Sequence, residues 1–143
     1  MKIRFKKLNP DAVAPVQGTP GSAGYDLTAL TVSEDPTGLP VIHYGTGIAV
    51  EIPKGYAGFI FPRSSCYKFG MDLTNCVGVI DSDYRGEFIV ALHNHGTTAQ
   101  TVTKGERIAQ LVIAPYLRAD YEVVDELNET ERGAGGFGST GTK

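Results

Sequence analysis

Residues 47–61 read GIAVEIPKGYAGFIF. Two β-rich runs, Gly47 to Ile52 and Gly55 to Phe61, flank the turn signal Pro53-Lys54-Gly55-Tyr56. Neither run is long enough for a helix that could bury its own face, and Pro53 and Gly55 break any helical continuation. The same pattern repeats outward. Lys2 to Lys7 alternates Ile3 and Phe5 with polar neighbours, and Leu39 to Tyr44, Glu87 to Asn94, Gln100 to Val102, Arg107 to Ala114 and Ala119 to Val124 are further strand candidates. Lys104-Gly105-Glu106 is another turn signal. Short strands at spacings of about 8–12 residues predict an all-β sandwich, barrel or jelly roll. Only Ser65 to Leu73 reads as helical, about two turns long. Thr31 to Gly38, with Glu34-Asp35-Pro36, reads as an exposed loop.

A chain of 143 residues is expected to form one domain with a true hydrophobic core. The formal charge of −3 gives no footprint of a general nucleic-acid binder. No run approaches the ~18 apolar residues of a membrane span, and MKIRFKKL has no apolar stretch of signal-peptide length. Cys66 and Cys76 are too few for a disulfide framework, so they read as free thiols in a reducing cytosol. His93 and His95 stand two apart in a strand candidate. With no cysteine or third histidine nearby, they read as ordinary strand residues.

Five stretches are unusual for chemistry. AGYDLTA, residues 23–29, sets Asp26 beside small residues, where its carboxylate can approach a phosphate or a hydrated cation. FPRSS, residues 61–65, puts a guanidinium and two hydroxyls at a strand-to-helix junction, with the serines at a predicted N-cap, a plausible grip for an oligophosphate. NCVGVIDSDYRGE, residues 75–87, reads as a β-hairpin whose apolar arm ends at Asp81 and whose return strand begins at Phe88. Its bare Gly78 lets backbone groups meet a flat base edge, while Asp83 and Arg85 read as a surface ion pair. KGERIAQLVI, residues 104–113, carries Gln110 mid-strand, and a buried amide must find partners, structural or ligand. The tail RGAGGFGSTG, residues 132–141, spells G-x-G-x-x-G, but no strand precedes it and no helix follows, so it is not a dinucleotide-binding turn. Arg132, Ser139 and Thr140 are phosphate-ligand types, and Phe137 is a lone aromatic able to stack on a planar ring.

Taken together and in this order, AGYDL, PRSS, GVIDSDYRGE, GERIAQL and RGAGGFGSTG resemble the five motifs of the trimeric deoxyuridine triphosphatase (dUTPase) family, from Ala23 to Gly141. The resemblance implies a β-jelly-roll (β-clip) barrel with one short helix over residues 1–127, and a Gly-rich arm over residues 128–143 that closes a neighbouring subunit's site in a homotrimer. It implies hydrolysis of dUTP to dUMP and pyrophosphate, with water attacking the α-phosphorus and Asp81 as general base. Asp26 matches a residue that reaches Mg²⁺ through water. Arg63, Ser64, Ser65 and Gln110 match phosphate ligands. Arg132, Gly138, Ser139 and Thr140 match the arm's hold on the terminal phosphate, and Phe137 the aromatic over uracil. The uracil edge is expected to meet Gly78, Val79, Ile80 and Ile89, with the Asn75 side chain. Tyr84 matches the residue under the deoxyribose. One departure is the segment from Arg63 to Asn75, one residue shorter than the commonest form, with Ser65 where glycine is usual. This shorter form resembles that of some phage and bacterial members.

Two rival functions use the same scaffold. A dCTP deaminase needs a glutamate on the strand after the hairpin, and Ala91 stands at that position. A nucleotide-sensing regulator with a protein partner would not need the catalytic residues, which are all in place. A nucleotide substrate in a cytoplasmic homotrimer, with no nucleic-acid or membrane partner, is the expectation.

Overall fold

The computed structural model describes residues 1–95 and 102–139. Among these, eleven strands and a single 3-10 turn, Cys66–Phe69, account for the regular structure. The strands are β1 (Arg4–Lys7), β2 (Val16–Gln17), β3 (Tyr25–Thr28), β4 (Thr31–Glu34), β5 (Val41–Gly45), β6 (Ile48–Glu51), β7 (Tyr56–Pro62), β8 (Met71–Leu73), β9 (Gly78–Ile80), β10 (Ile89–Asn94) and β11 (Arg107–Pro115). They form three sheets, in the orders β1-β6, β4-β5-β10-β8 and β2-β3-β11-β7-β9, with every pairing antiparallel. No helix among the described residues is long and apolar enough to cross a membrane.

The two runs of residues 47–61 are β6 and β7, and they lie in different sheets. The turn between them, with Gly55 at φ 84°, carries the chain from one sheet to the next. Between the layers sits one core, in which Tyr44, Phe88, Leu27, Ile48, Leu92 and Val90 are fully buried. Burying side chains of this size stabilises a fold by about 1.5–3 kcal/mol each relative to leaving them in water. The Tyr44 hydroxyl donates to Met71 Sδ at 3.8 Å, and burial pushes its pKa up. Cys66 is buried, its thiol donating to the Met71 carbonyl at 3.2 Å, and burial raises its pKa too; Cys76 is exposed. Both thiols are free, as the sequence predicts.

Four expectations are corrected. The helix predicted over Ser65 to Leu73 is only the 3-10 turn, because Gly70 adopts φ 63° and releases the chain into β8, where Met71 and Leu73 are buried and Asp72 faces out. Ser65 makes no side-chain capping bond, so the predicted N-cap is absent. Thr31 to Glu34 is not loop but the edge strand β4. All four residues are exposed, so it lacks the apolar signature of a core strand. Ala119 to Val124 forms no strand: it lies beyond β11 with no partner edge, and Tyr121 and Val123 are 97% and 99% exposed. Of the predicted strand Gln100 to Val102, residues 100 and 101 lie outside the described residues, and Val102 is buried.

Candidate active site

Two clusters take shape, one around Asp26 in the five-stranded sheet and one between β9 and β10. The first gathers around Asp26. In register, Asp26 on β3 faces Gln110 on β11, which faces Phe61 on β7. Strict alternation would send Arg107, three residues before Gln110, to the other face of the sheet. A bulge between Arg107 and Ala109 adds one residue and turns Arg107 back to Asp26's side. Both Asp26 oxygens are then engaged: Oδ1 accepts from Arg63 Nε at 2.8 Å and Oδ2 from Arg107 NH1 at 2.8 Å. The Asp26 side chain is only 12% exposed, so these charge-assisted bonds replace most of its water. Arg63 also donates from NH1 to the Arg107 carbonyl at 3.3 Å. Gln110 Nε2 donates to the Pro62 carbonyl at 3.0 Å and so holds the chain just before Arg63. A Cβ at Gly24 would fall 2.4 Å from Gln110 Oε1, which is why the AGYD stretch needs glycine there. Ser64 is exposed and Ser65 half-buried beside this cluster.

Arg107 was missed in the sequence. No local signal marks it: Ile108-Ala109 reads as an ordinary apolar pair, and the bulge beside it shows only in the register with β3.

The second cluster is the expected hairpin, and its arms do not pair. β9 joins β7, with Gly58 opposite Ile80 and Ile60 opposite Gly78, while β10 lies between β5 and β8 in another sheet. The splayed arms leave a cleft of about 120 Å³ lined by Asn75, Gly78, Val79, Ile80, Ile89 and Ala91, among others. β9 is an edge strand, so its outer main-chain groups have no strand partner. On β10, the Ala91 carbonyl accepts from Thr74 N at 3.1 Å on the β8 side. Main-chain groups two residues apart point the same way, so Ile89 presents its N–H and C=O to the cleft. The cleft is apolar on its faces and polar on its rim of backbone, the arrangement that suits one flat heterocycle. Gly78 is buried because a Cβ there would lie 3.2 Å from Ile60 Cβ, so its bareness serves close packing of β9 on β7 as well.

Asp81 follows β9 directly and is exposed. Its carbonyl accepts from Tyr84 N at 3.2 Å, which closes the turn. Its carboxylate makes no hydrogen bond or ion pair with the described residues. The expected Asp83–Arg85 pair does not form: Arg85 donates instead to the carbonyls of Ser82 at 2.7 Å and Tyr84 at 2.9 Å. Tyr84 folds back over Gly86, donates to the Glu87 carbonyl at 3.0 Å and stacks on Phe88 with ring planes 19° apart. The base of the hairpin is fixed by Thr46, whose hydroxyl donates to the Phe88 carbonyl at 2.7 Å, and by Gly47 N, which donates to Glu87 at 2.7 Å.

The register gives the separation of Asp81 from Arg63. Asp81 follows Ile80, which faces Gly58, so Asp81 lies near Ala57, while Arg63 stands six residues further along the same strand direction. At about 3.3 Å per residue that is roughly 20 Å.

The whole chain can now be set beside known proteins. The dUTPase family model matches residues 11–141. The chain belongs to the dUTPase family. A deoxyuridine 5'-triphosphate nucleotidohydrolase of Nautilia profundicola is 50% identical over 143 residues, covering 99% of both chains. One from Escherichia phage T5 is 44% identical over 148 residues, again 99% of each. A dUTPase of Staphylococcus bacteriophage 80alpha, solved with dUpNHpp, superposes with a TM-score of 0.84 at 27% identity over 99% of both chains. The dUTPase jelly roll is therefore the fold of this chain.

The hydrogen bonds of the Gly-rich C-terminal stretch run within the stretch itself and not to either cluster. After β11, residues 116–139 form no strand. Arg132 Nε donates to the Gly135 carbonyl at 2.9 Å, and turns follow at Gly133, Gly135 and Ser139. Phe137 sits in the left-handed region at φ 51°, fully exposed, followed by Gly138 at φ 84°. A non-glycine residue there is uncommon, and here it turns the ring outward from a Gly-rich loop. Thr140 lies outside the described residues.

Proposed function

We propose that the chain hydrolyses dUTP to dUMP and pyrophosphate in a homotrimer whose sites combine residues of different subunits. One observation carries this reading. The free carboxylate of Asp81 and the guanidinium of Arg63 stand roughly 20 Å apart along the strands of one chain, too far to serve one triphosphate. A closed ring of copies brings the Asp81 end of one subunit to the Arg63 end of the next. Uncovered apolar surface supports the assembly: a recess of about 410 Å³ is lined by Met1, Ile3, Phe5, Tyr25 and Leu111, among others. The exposed Leu117, Tyr121, Val123 and Leu127, between β11 and the arm, need a surface to lie on, and a neighbouring subunit supplies it.

In this mechanism uracil enters the cleft and its edge pairs with main-chain groups of Gly78, Val79, Ile80 and Ile89 and with the Asn75 amide. Cytosine reverses one donor–acceptor pair and leaves buried groups unpaired, a discrimination of roughly 10⁴-fold. Asp81 takes the proton from water as its oxygen bonds to the α-phosphorus. The bond from that phosphorus to the bridging oxygen breaks, and pyrophosphate leaves. Arg63, Ser64, Ser65 and Gln110 hold the phosphates, and Arg132, Ser139 and Thr140 close over the terminal one while Phe137 covers the base, with Gly138 giving the arm its turn. Asp26 has both oxygens on arginines, which leaves it lone pairs for a water but not an open metal cage. That fits Mg²⁺, which keeps most of its waters and, bound with the nucleotide, neutralises charge on the triphosphate. The reaction removes a precursor of uracil in DNA and supplies dUMP for thymidylate synthesis, in the cytoplasm.

Pyrophosphate release with Mg²⁺ is measured for dUTP, dCTP, UTP and dTTP. Turnover of dUTP alone is expected; ammonia release from dCTP would replace this reading with the deaminase. Tyr84 is held rigidly beneath the position expected for the sugar, so Tyr84→Ala should narrow the preference for dUTP over UTP by roughly 10–100-fold, and an unchanged ratio would remove Tyr84 from that role.

A further inference from the structure

His93 lies on β10 and His95 follows the strand's last residue, Asn94, with its N–H donating to the Gly70 carbonyl at 2.8 Å, so the two side chains, two residues apart, meet on one side of the chain. His93 is the direct cross-strand partner of Asp72 on β8, which places the carboxylate on that same face. The three side chains converge. His93 Nδ1 is 3.3 Å from His95 Nε2, and His95 Nε2 is 2.9 Å from Asp72 Oδ1. All three ligand atoms fall within 4.8 Å of one another.

We propose that Asp72, His93 and His95 bind a divalent transition-metal ion, zinc foremost, at a site separate from the nucleotide site. Ligands about 2.0–2.1 Å from a tetrahedral zinc stand about 3.3 Å from each other, close to the separations already present. Two imidazoles and one carboxylate are a zinc donor set and a poor magnesium one, because Mg²⁺ prefers oxygen and keeps its waters. The fourth position faces solvent, since Asp72 and His95 are exposed. None of the three ligands lines the base cleft: Ala91, the nearest lining residue on β10, stands two residues before His93, and Ile89, whose main-chain groups face the base, stands four before it, roughly 13 Å away. The effect of the metal is structural: it clips the end of β10 to β8, the short strand that otherwise meets β10 through only three register pairs. A ligand that binds only the folded chain raises its melting temperature as free ligand exceeds its dissociation constant.

The test uses the full chain without a histidine tag, stripped with chelator and kept in excess Mg²⁺. Zinc is titrated calorimetrically into the parent and into His93→Asn and His95→Asn. One zinc per chain is expected in the parent, weakened at least about tenfold in each variant. Mg²⁺-dependent dUTP hydrolysis and the melting temperature in chelator should stay at parental values in both variants. Absence of zinc binding in the parent, or binding retained when both histidines are replaced, overturns the site. Cobalt gives a check on the parent alone. Tetrahedral d–d absorption without a thiolate charge-transfer band supports nitrogen and oxygen ligands; a thiolate band would assign the metal to Cys66 or Cys76 and sink the proposal.

Discussion

Replacing Asp81 with asparagine is expected to lower kcat for dUTP by about 10²–10⁴-fold, the usual contribution of a positioned general base. KM should change only a few-fold. The side chain is nearly isosteric, and the turn is closed through the Asp81 carbonyl rather than its carboxylate. The cleft for the base is lined by other residues and stays intact. The loss is then confined to an interaction made as the proton is transferred, which lowers kcat and kcat/KM together. Steady-state pyrophosphate release, alongside direct binding of a non-hydrolysable dUTP analogue, separates the two. A variant that binds the analogue more than tenfold less tightly while keeping its kcat would make Asp81 a binding residue and not the base.

The second large effect belongs to Asp26. It holds Arg63 and Arg107 with one oxygen each, so Asp26→Asn removes the negative charge that pairs with both guanidinium groups and sets an NH2 donor against one of them. The one remaining acceptor cannot hold both arginines, so the pair loses its fixed geometry and Arg63 no longer meets a phosphate in a set direction. Misplacing a positioning group by about 1 Å can cost about 10²-fold, and that is the expected loss in kcat/KM. Folding stability should fall by about 1–3 kcal/mol, at the range for hydrogen bonds to charged groups, since Arg107 is half exposed and water compensates part of the loss. Urea unfolding in the absence of nucleotide reads the stability, and single-turnover hydrolysis reads the chemistry. Full activity in Asp26→Asn would mean that neither arginine depends on this carboxylate.

Much of this architecture was legible before the structure. Strands with several buried residues, such as β6, β7 and β11, declare themselves through apolar runs bounded by glycine, proline or charge. β4 and β8 did not. All four residues of β4 face solvent, and β8 is only three residues long, so neither shows enough period-two burial to be told from a loop or a helix. The reading of residues 75–87 as a hairpin found the turn and both arms. It could not see that the arms diverge into different sheets, because that depends on where β7 and β5 offer free edges. The same limit applies to charge. Asp26 and Arg63 stood in legible stretches, but their bond to Arg107 needs a bulge that one residue of local sequence does not announce. Asp72 and the two histidines are apart in the chain and meet only through strand register. Beyond β11, the strand-like stretch at Ala119 to Val124 misled because alternation does not make a strand without an edge to pair with.

The central claim is that the base and the phosphate grip of one working site come from different subunits. Complementation tests it most directly. Asp81→Ala and Arg63→Ala chains are each purified, mixed in equal amounts, unfolded and refolded together, and assayed for dUTP hydrolysis. Each homogeneous variant is expected to be inactive, whereas random assembly gives intact pairings of Asp81 and Arg63 at about a quarter of the sites in a closed ring, and so about a quarter of wild-type activity. A refolded mixture of confirmed mixed oligomers that stays as inactive as its parents would mean that both residues serve one site within one chain, and the account of a shared site would be wrong.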